Sequence, residues 1–314
     1  MELPRALRHA VDAALEGVSA RDLAAASAAL SERYRAELRD GRLHVDDDLA
    51  ARAYLAARLP ATYAAIRAAL GAVAEARPDF APRSLLDFGA GPGTALWAVR
   101  DCWNIDAATL IEASASMRKF GASFAPESGV AQIDWAAEPP TSGRNDLVTL
   151  AYVLDELEPA QRTSLVEGLW SVTGDTLLVV EPGTPAGWRR ILDARELLLA
   201  RDAQMIAPCP HMQSCPLAAP DWCHFSRRVS RSRAHLQAKS AEVPWEDEKF
   251  IYLAVSRNAV PLSDARVLAQ PHTGSGKVAL KLCETDGQMR RILVTKRDGE
   301  RFKRARRVAW GEGF

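Results

Sequence analysis

Cysteine is scarce in this chain: five residues in 314. That is too few for a disulfide framework, and a chain of this length can bury a core without covalent staples. Long apolar runs are also missing. No stretch reaches the roughly eighteen apolar residues of a membrane span, so no membrane role is expected. Aromatics make up only 7%. There is no internal repeat and no extended low-complexity segment, which argues against a solenoid or a fibrous array. Net charge is absent too, because 40 Lys and Arg balance 40 Asp and Glu. The start, "MELPRALRHAVDAALEG", is rich in Arg and Ala like an organelle transit helix. It also carries Glu2, Asp12 and Glu16, and no small-residue cleavage signal follows an apolar core. It reads as mature sequence in a cytoplasmic compartment.

What is present is a globular composition: 48% hydrophobic and 25% charged. The length suggests about two domains. The charge is unevenly spread. Residues 1–224 hold 21 Lys and Arg against 30 Asp and Glu, and residues 225–314 hold 19 against 10. A separated basic segment fits a polyanion such as RNA, or a solvated basic face.

Residues 1–78 read as a helical region. Ser19 with Asp22 suits an N-cap and an acidic first turn. "DDDLAARAYLAARLPATYAAIRAALGAVAEA" repeats apolar residues every three or four positions, and Pro60 is expected to break or kink it. From Ser84 the texture changes. "SLLDFGAG", "ATLIEAS", "DLVTLAYVL" and "DTLLVVEPG" are short apolar runs separated by helix-length segments. Such alternation predicts a doubly wound α/β sheet over residues 79–203. Residues 204–263 read as a cysteine-rich insertion or linker. Residues 264–314 read as a small antiparallel β domain of four strands: "ARVLAQP", "KVALKLC", "RRILVTK" and "FKRARRVAW". Asp286-Gly287 and Asp298-Gly299 are hairpin signals within it.

"LLDFGAGPGTAL" sets Asp87, Gly89, Gly91 and Gly93 at the end of a predicted strand entering a helix. Glycines there let a ligand approach the backbone, and the helix N-terminus offers free N–H groups. Glu112 ends the next predicted strand, placed to accept from both ribose hydroxyls of a nucleoside. Asp134-Trp135 follows where an acid and an indole suit an adenine. The third glycine is misplaced for a dinucleotide fingerprint, and the Lys and Ser/Thr of a P-loop are absent. Acid-x-G-x-G-x-G resembles the first motif of class I S-adenosylmethionine-dependent methyltransferases. The bland alternatives are a helix cap for Asp87, a surface acid for Glu112 and a core aromatic for Trp135. Catalysis is less marked: "YVLDELEP" offers Asp155 and Glu156, which either contact an acceptor or cap the next helix.

Three of the five cysteines crowd into "CPHMQSCPLAAPDWC". Cys209, Cys215 and Cys223 lie in proline-rich, aperiodic sequence with little means of packing itself, and a metal would supply cross-links. Thiolate clusters take zinc or iron–sulfur centres. Cys283 is the nearest later cysteine for a fourth ligand; His211 or His224 would instead complete a mixed zinc site. Three unligated buried cysteines are the plain alternative, and Cys102, beside Trp103, reads as an apolar packing residue.

The segments "AYLAARLPATYAAI", "SLLDFGAGPGTALWA", "VLDEL", "VEPGTPAGW", "CPH", "CP", "DWCHFS" and "WEDEKFIYL" together resemble the Rsm-type family of small-ribosomal-subunit proteins, here its bacterial branch. The resemblance implies a class I methyltransferase fold and association with the small ribosomal subunit and its RNA. It also implies a four-iron, four-sulfur cluster on Cys209, Cys215, Cys223 and Cys283; the first three match the motif directly, and Cys283 is assigned by its position in the tail. The basic stretches then gain a role in neutralising phosphates: Arg227, Arg228, Arg231 and Arg233, and Lys296, Arg297, Lys303, Arg304, Arg306 and Arg307. The expected function is an S-adenosylmethionine-dependent methyltransferase acting on small-subunit RNA. The alternatives are a non-catalytic assembly factor and a zinc-stabilised small-molecule methyltransferase.

Overall fold

The computed structural model describes residues 1–36, 43–138, 143–262 and 264–314. Four helices come first: α1 (Arg5–Leu15), α2 (Ala20–Arg35), α3 (Asp48–Ala57) and α4 (Leu59–Ala76). The Ser19 hydroxyl accepts from the Asp22 N–H at 3.4 Å and caps α2. Asp47 caps α3 in the same way, accepting from the Ala50 N–H at 2.7 Å. Pro60 does break the helical run: α3 ends at Ala57 and α4 starts at Leu59. Proline then sits in the first turn of α4, where its missing N–H leaves no bond unmade. Helix α4 is buried along Leu59, Tyr63, Ile66, Leu70 and Val73, and these share one core with the strands that follow.

The main sheet is built from β1 (Ser84–Phe88), β2 (Ala107–Ile111), β3 (Gln132–Ala136), β4 (Asn145–Ala151), β5 (Thr173–Pro182), β6 (Gln204–Ala207), β7 (Phe225–Ser230) and β8 (Trp245–Ser256). Between them run α5 (Thr94–Arg100), α6 (Ala115–Phe124), α7 (Pro159–Val172), α8 (Pro185–Leu199) and α9 (Arg233–Ala238). The strand order is β3-β2-β1-β4-β5-β8-β6, with β7 also paired to β8. The first five strands are parallel, and β8 is antiparallel to β5, β6 and β7. Leu85, Leu86, Leu147, Val148 and Leu177–Val180 are almost wholly buried, as strands covered on both faces require. This is an α/β Rossmann-like fold with a mixed central sheet.

The segment 204–263, expected as a cysteine-rich linker, also supplies three strands of this sheet. The apolar half of β8, Phe250–Val255, is its buried signal.

The tail forms a second sheet from β9 (Ala265–Val267), β10 (His272–Gly274), β11 (Lys277–Glu284) and β12 (Met289–Thr295), all pairs antiparallel. Asp286-Gly287 makes the β11–β12 turn, with Gly287 at φ +76°. "FKRARRVAW" is not a strand: α10 (Glu300–Ala305) covers its first half. Phe302 and Ala305, one helical turn apart, both bury against the sheet while the intervening cations face water. Gly299 therefore precedes a helix rather than closing a hairpin.

Candidate functional site

The glycine loop leaves β1 and enters α5. Gly89, Gly91 and Gly93 take φ of +71°, +55° and +80°, the left-handed region where a side chain is strained. A Cβ on Gly89 would also overlap Val153 Cγ2. Glu112, just past β2, braces the loop: Oε2 accepts from the Gly91 N–H at 2.8 Å and Oε1 from the Ser114 N–H at 2.7 Å. Burial raises its pKa, against the pull of those two N–H groups. Asp87 lies beneath the loop, 2% exposed. Its Oδ1 accepts from the Thr149 hydroxyl at 2.6 Å, and its Oδ2 has no hydrogen-bond partner among the described residues. Burial pushes the Asp87 carboxyl up to about 7, opposed by the Thr149 bond and aided by the Glu112 charge.

Above this loop opens a cavity of about 940 Å³. Gly89, Gly91 and Glu112 line its floor, and Asp155 and Glu156, from a short 3-10 turn after β4, line its wall. Burial and then the neighbouring Asp155 charge push Glu156 up to about 8. Asp155 stands near Glu181, whose carboxylate accepts from Arg190 Nε at 2.6 Å and from the Leu154 N–H at 3.1 Å. Burial, with Asp155 beside it, raises Glu181 despite that arginine.

Helix α2 roofs the cavity with Ser27, Ser31 and Tyr34, and the Tyr34 and His44 rings stack with centroids 4.7 Å apart. Tyr152, at φ +59°, donates its hydroxyl to Glu248 Oε1 at 3.0 Å. Arg58 completes this wall. Sequence reasoning missed Tyr34, His44, Arg58, Tyr152 and Glu248, which come from separate elements and carry no shared local pattern.

Asp134 and Trp135 stand elsewhere than expected. Neither lines the cavity. Asp134 is exposed and accepts from Gln132 Nε2 at 2.8 Å. Trp135 packs behind the glycine loop, against Gly93 and Gly121. Successive residues of a strand point to opposite faces, so β3 sends Asp134 outward and its neighbour inward.

Cys209, Cys215, Cys223 and Cys283 all line one small cavity of about 30 Å³. The first three come from the loop between β6 and β7; Cys283 comes from β11, paired with Arg266 and Met289. All five cysteines of the chain are free thiols. Burial raises the four grouped thiols, Cys283 to about 12, with Cys209 and Cys215 adding to the effect there. Among the described residues no group of three or more His, Cys, Asp and Glu side chains is gathered to hold a metal ion. His211 lines the thiol cavity, with Nε2 3.3 Å from Cys283 Sγ. His224 points elsewhere, stacked on Trp222 and edge-on to Trp310. Cys102 is half-buried and packs on the main core.

The basic residues divide. Arg228 pairs with Asp247 at 2.9 Å and Arg231 with Glu246 at 2.9 Å, and Arg231 also lines the large cavity. Lys303 pairs with Glu300 at 2.6 Å and Arg304 with Asp264 at 3.8 Å. Arg227, Arg233, Lys296, Arg297, Arg306 and Arg307 are exposed.

A family model described as "Mitochondrial small ribosomal subunit Rsm22" matches residues 48–314. The chain belongs to the Rsm22 family. Within its reach, the human ribosome assembly protein METTL17, mitochondrial, is 31% identical over 287 residues, which cover 82% of this chain and 61% of that protein. Rsm22-cox11 tandem protein 2, mitochondrial, of Schizosaccharomyces pombe is 23% identical over 329 residues, covering 83% of this chain and 42% of that one. This Rsm22-family chain thus matches less than two thirds of the length of these relatives. Among solved structures it is similar to magnesium protoporphyrin IX methyltransferase (ChlM) from Synechocystis PCC 6803 with bound SAM: TM-score 0.43, 14% identity, covering 73% of this chain and 91% of that one. The N-methyltransferase NodS from Bradyrhizobium japonicum WM9 gives a TM-score of 0.37 at 13% identity, covering 60% and 93%. No described helix is long and apolar enough to cross a membrane.

Proposed function

We propose that this chain is a methyltransferase-like protein of the small ribosomal subunit that binds S-adenosylmethionine and acts on or alongside ribosomal RNA. The observation that carries the cofactor reading is the braced glycine loop. Gly89, Gly91 and Glu112 open onto one cavity, with the unpartnered Oδ2 of Asp87 beneath them. Asp87 and Gly93 do not themselves line the cavity; they belong to the loop and strand end that support it. The 940 Å³ volume also leaves room for an acceptor beside the donor. Asp155 and Glu156 are the candidates to contact that acceptor. Titration calorimetry with S-adenosylmethionine tests the reading: binding near one per chain is expected, and no heat from a folded protein would remove it.

The ribosomal part rests on the family and on the exposed cations. The human relative is named a ribosome assembly protein, and that name supports the second reading, a non-catalytic assembly factor. Methyl incorporation into purified small subunits separates the two.

The shared cavity of the four cysteines supports our reading of a thiolate-bound inorganic centre. Four half-buried or buried thiols line one apolar space, and Cys102 alone of the chain's five cysteines lies elsewhere. Cys209, Cys215, Cys223 and Cys283 would hold an iron–sulfur cluster, which would cross-link the β6–β7 loop to β11. Zinc, with His211 in the set, is the alternative. Iron, sulfide and zinc analysis of anaerobically purified protein decides between them.

A further inference from the structure

Buried nitrogen-bearing side chains line the thiol cavity, Arg195, Arg266, His211 and Trp188, and two of them bear on its sulfurs most directly. Arg195 stands on α8 and is 6% exposed. Its Nη2 donates to the carbonyls of His211 at 3.1 Å and Gln213 at 2.6 Å, fastening the loop that carries Cys209 and Cys215. Its Nε is buried with no hydrogen-bond partner among the described residues, and no carboxylate there pairs with it. The guanidinium lines the same cavity as Cys209 and Cys215. His211 is 2% exposed; its Nε2 lies 3.3 Å from Cys283 Sγ, and its Nδ1 has no partner among the described residues.

A buried cation without a counter-charge is costly, by several kcal/mol. Among the described residues, no carboxylate lines the thiol cavity to supply such a charge. Thiolates bound to a metal centre do supply it. We infer that Arg195 and His211 are positioning residues for that centre: the guanidinium is its buried counter-ion beside Cys209, and the imidazole is an N–H donor to the Cys283 sulfur. This rests on the iron–sulfur reading above. Positive charge and N–H donors near sulfur stabilise the more negative, reduced form of a cluster. Both residues therefore hold its reduction potential up.

The test uses the full chain, purified anaerobically. Iron and acid-labile sulfide are measured first, then the midpoint potential by titration, for the native protein, Arg195→Met, Arg195→Lys and His211→Phe. The expected result is a shift to more negative potential in Arg195→Met and His211→Phe, with Arg195→Lys recovering part of the shift. Arg195→Met also loses its two loop carbonyl bonds. Should it fail to fold or to hold iron, Arg195→Lys and His211→Phe decide by the same measurement. Native protein with its cluster, and variants with an unmoved potential, overturns this inference alone. Native protein holding zinc or no metal overturns the inference and the iron–sulfur reading together.

Discussion

Trp135 fills the space over Gly121: a Cβ at that glycine would overlap indole Cη2 and lie 2.6 Å from Cζ2 and 3.1 Å from the Pro92 carbonyl carbon. Pro92 belongs to the glycine loop, so the indole and the loop share one tightly filled layer. Gly121→Ala is expected to destabilise the protein by about 1–3 kcal/mol through overpacking. Urea unfolding measures the loss. The same substitution pushes the indole toward Gly93, so weaker S-adenosylmethionine binding should accompany it.

Glu112 is the brace of the loop, through the Gly91 and Ser114 N–H groups. Glu112→Ala removes both acceptors and the group offered to a ribose. Affinity for S-adenosylmethionine is expected to fall at least tenfold, about 1.4 kcal/mol, by calorimetry. Affinity within twofold of native would show that the carboxylate does not meet the ligand.

Asp87 carries a pH dependence whose sign follows from its environment. Its carboxyl titrates at about 7 in the fold against the ordinary 3.8. Between these values the folded state holds a proton that the unfolded state has released, so stability falls as pH rises through that window. The contribution is full below the ordinary value and gone above about 7. Asp87→Asn should flatten the slope of unfolding free energy against pH over that range, as read by denaturant titration at a series of pH values.

The Arg190–Glu181 pair is nearly sealed from water, with side chains 4% and 0% exposed. Arg190→Met strands a buried carboxyl, and a loss of about 3–5 kcal/mol is expected. Adding Glu181→Leu should return much of it. A double variant no better than the single one would show that the pair is not the source of the loss.

Lys296, Arg297, Arg306 and Arg307 are exposed cations. Replacing all four by alanine should weaken binding to small-subunit RNA and flatten its dependence on salt. Each lost phosphate contact lowers the slope of log affinity against log salt by about 0.7–0.9. Filter binding at several salt concentrations checks this, and an unchanged slope places the RNA elsewhere.

The parallel strands were readable because burial on both faces makes their sequences continuous apolar runs, as at Leu85–Leu86 and Leu177–Val180. β8 was harder. Its first half, "WEDEK", is charged, and the half that is buried, "FIYLAV", follows it and the polar, basic stretch 226–242. α10 was mistaken because apolar and basic residues alternate loosely in "FKRARRVAW"; Phe302 and Ala305 settle the period at one helical turn. The glycine loop was legible from spacing alone, since positive φ restricts residue choice. The cavity walls were not. Tyr34, Arg58, Tyr152 and Glu248 are far apart in sequence and meet only through the packing of α2, α4, β4 and β8. The crowding of three cysteines was plain to read, but that Cys283 reaches the same space depends on the pairing of β11 with β9 and β12.

Strand β8 sits between β5 and the pair β6 and β7. Near its start Glu248 enters the large cavity, and a few residues on Ile251, Tyr252 and Leu253 wall the thiol cavity. The two chambers thus share a party wall of continuous backbone. The chain is not severable into a glycine-loop fragment and a thiol fragment: a cut ahead of residue 245 would take a plank from both rooms at once.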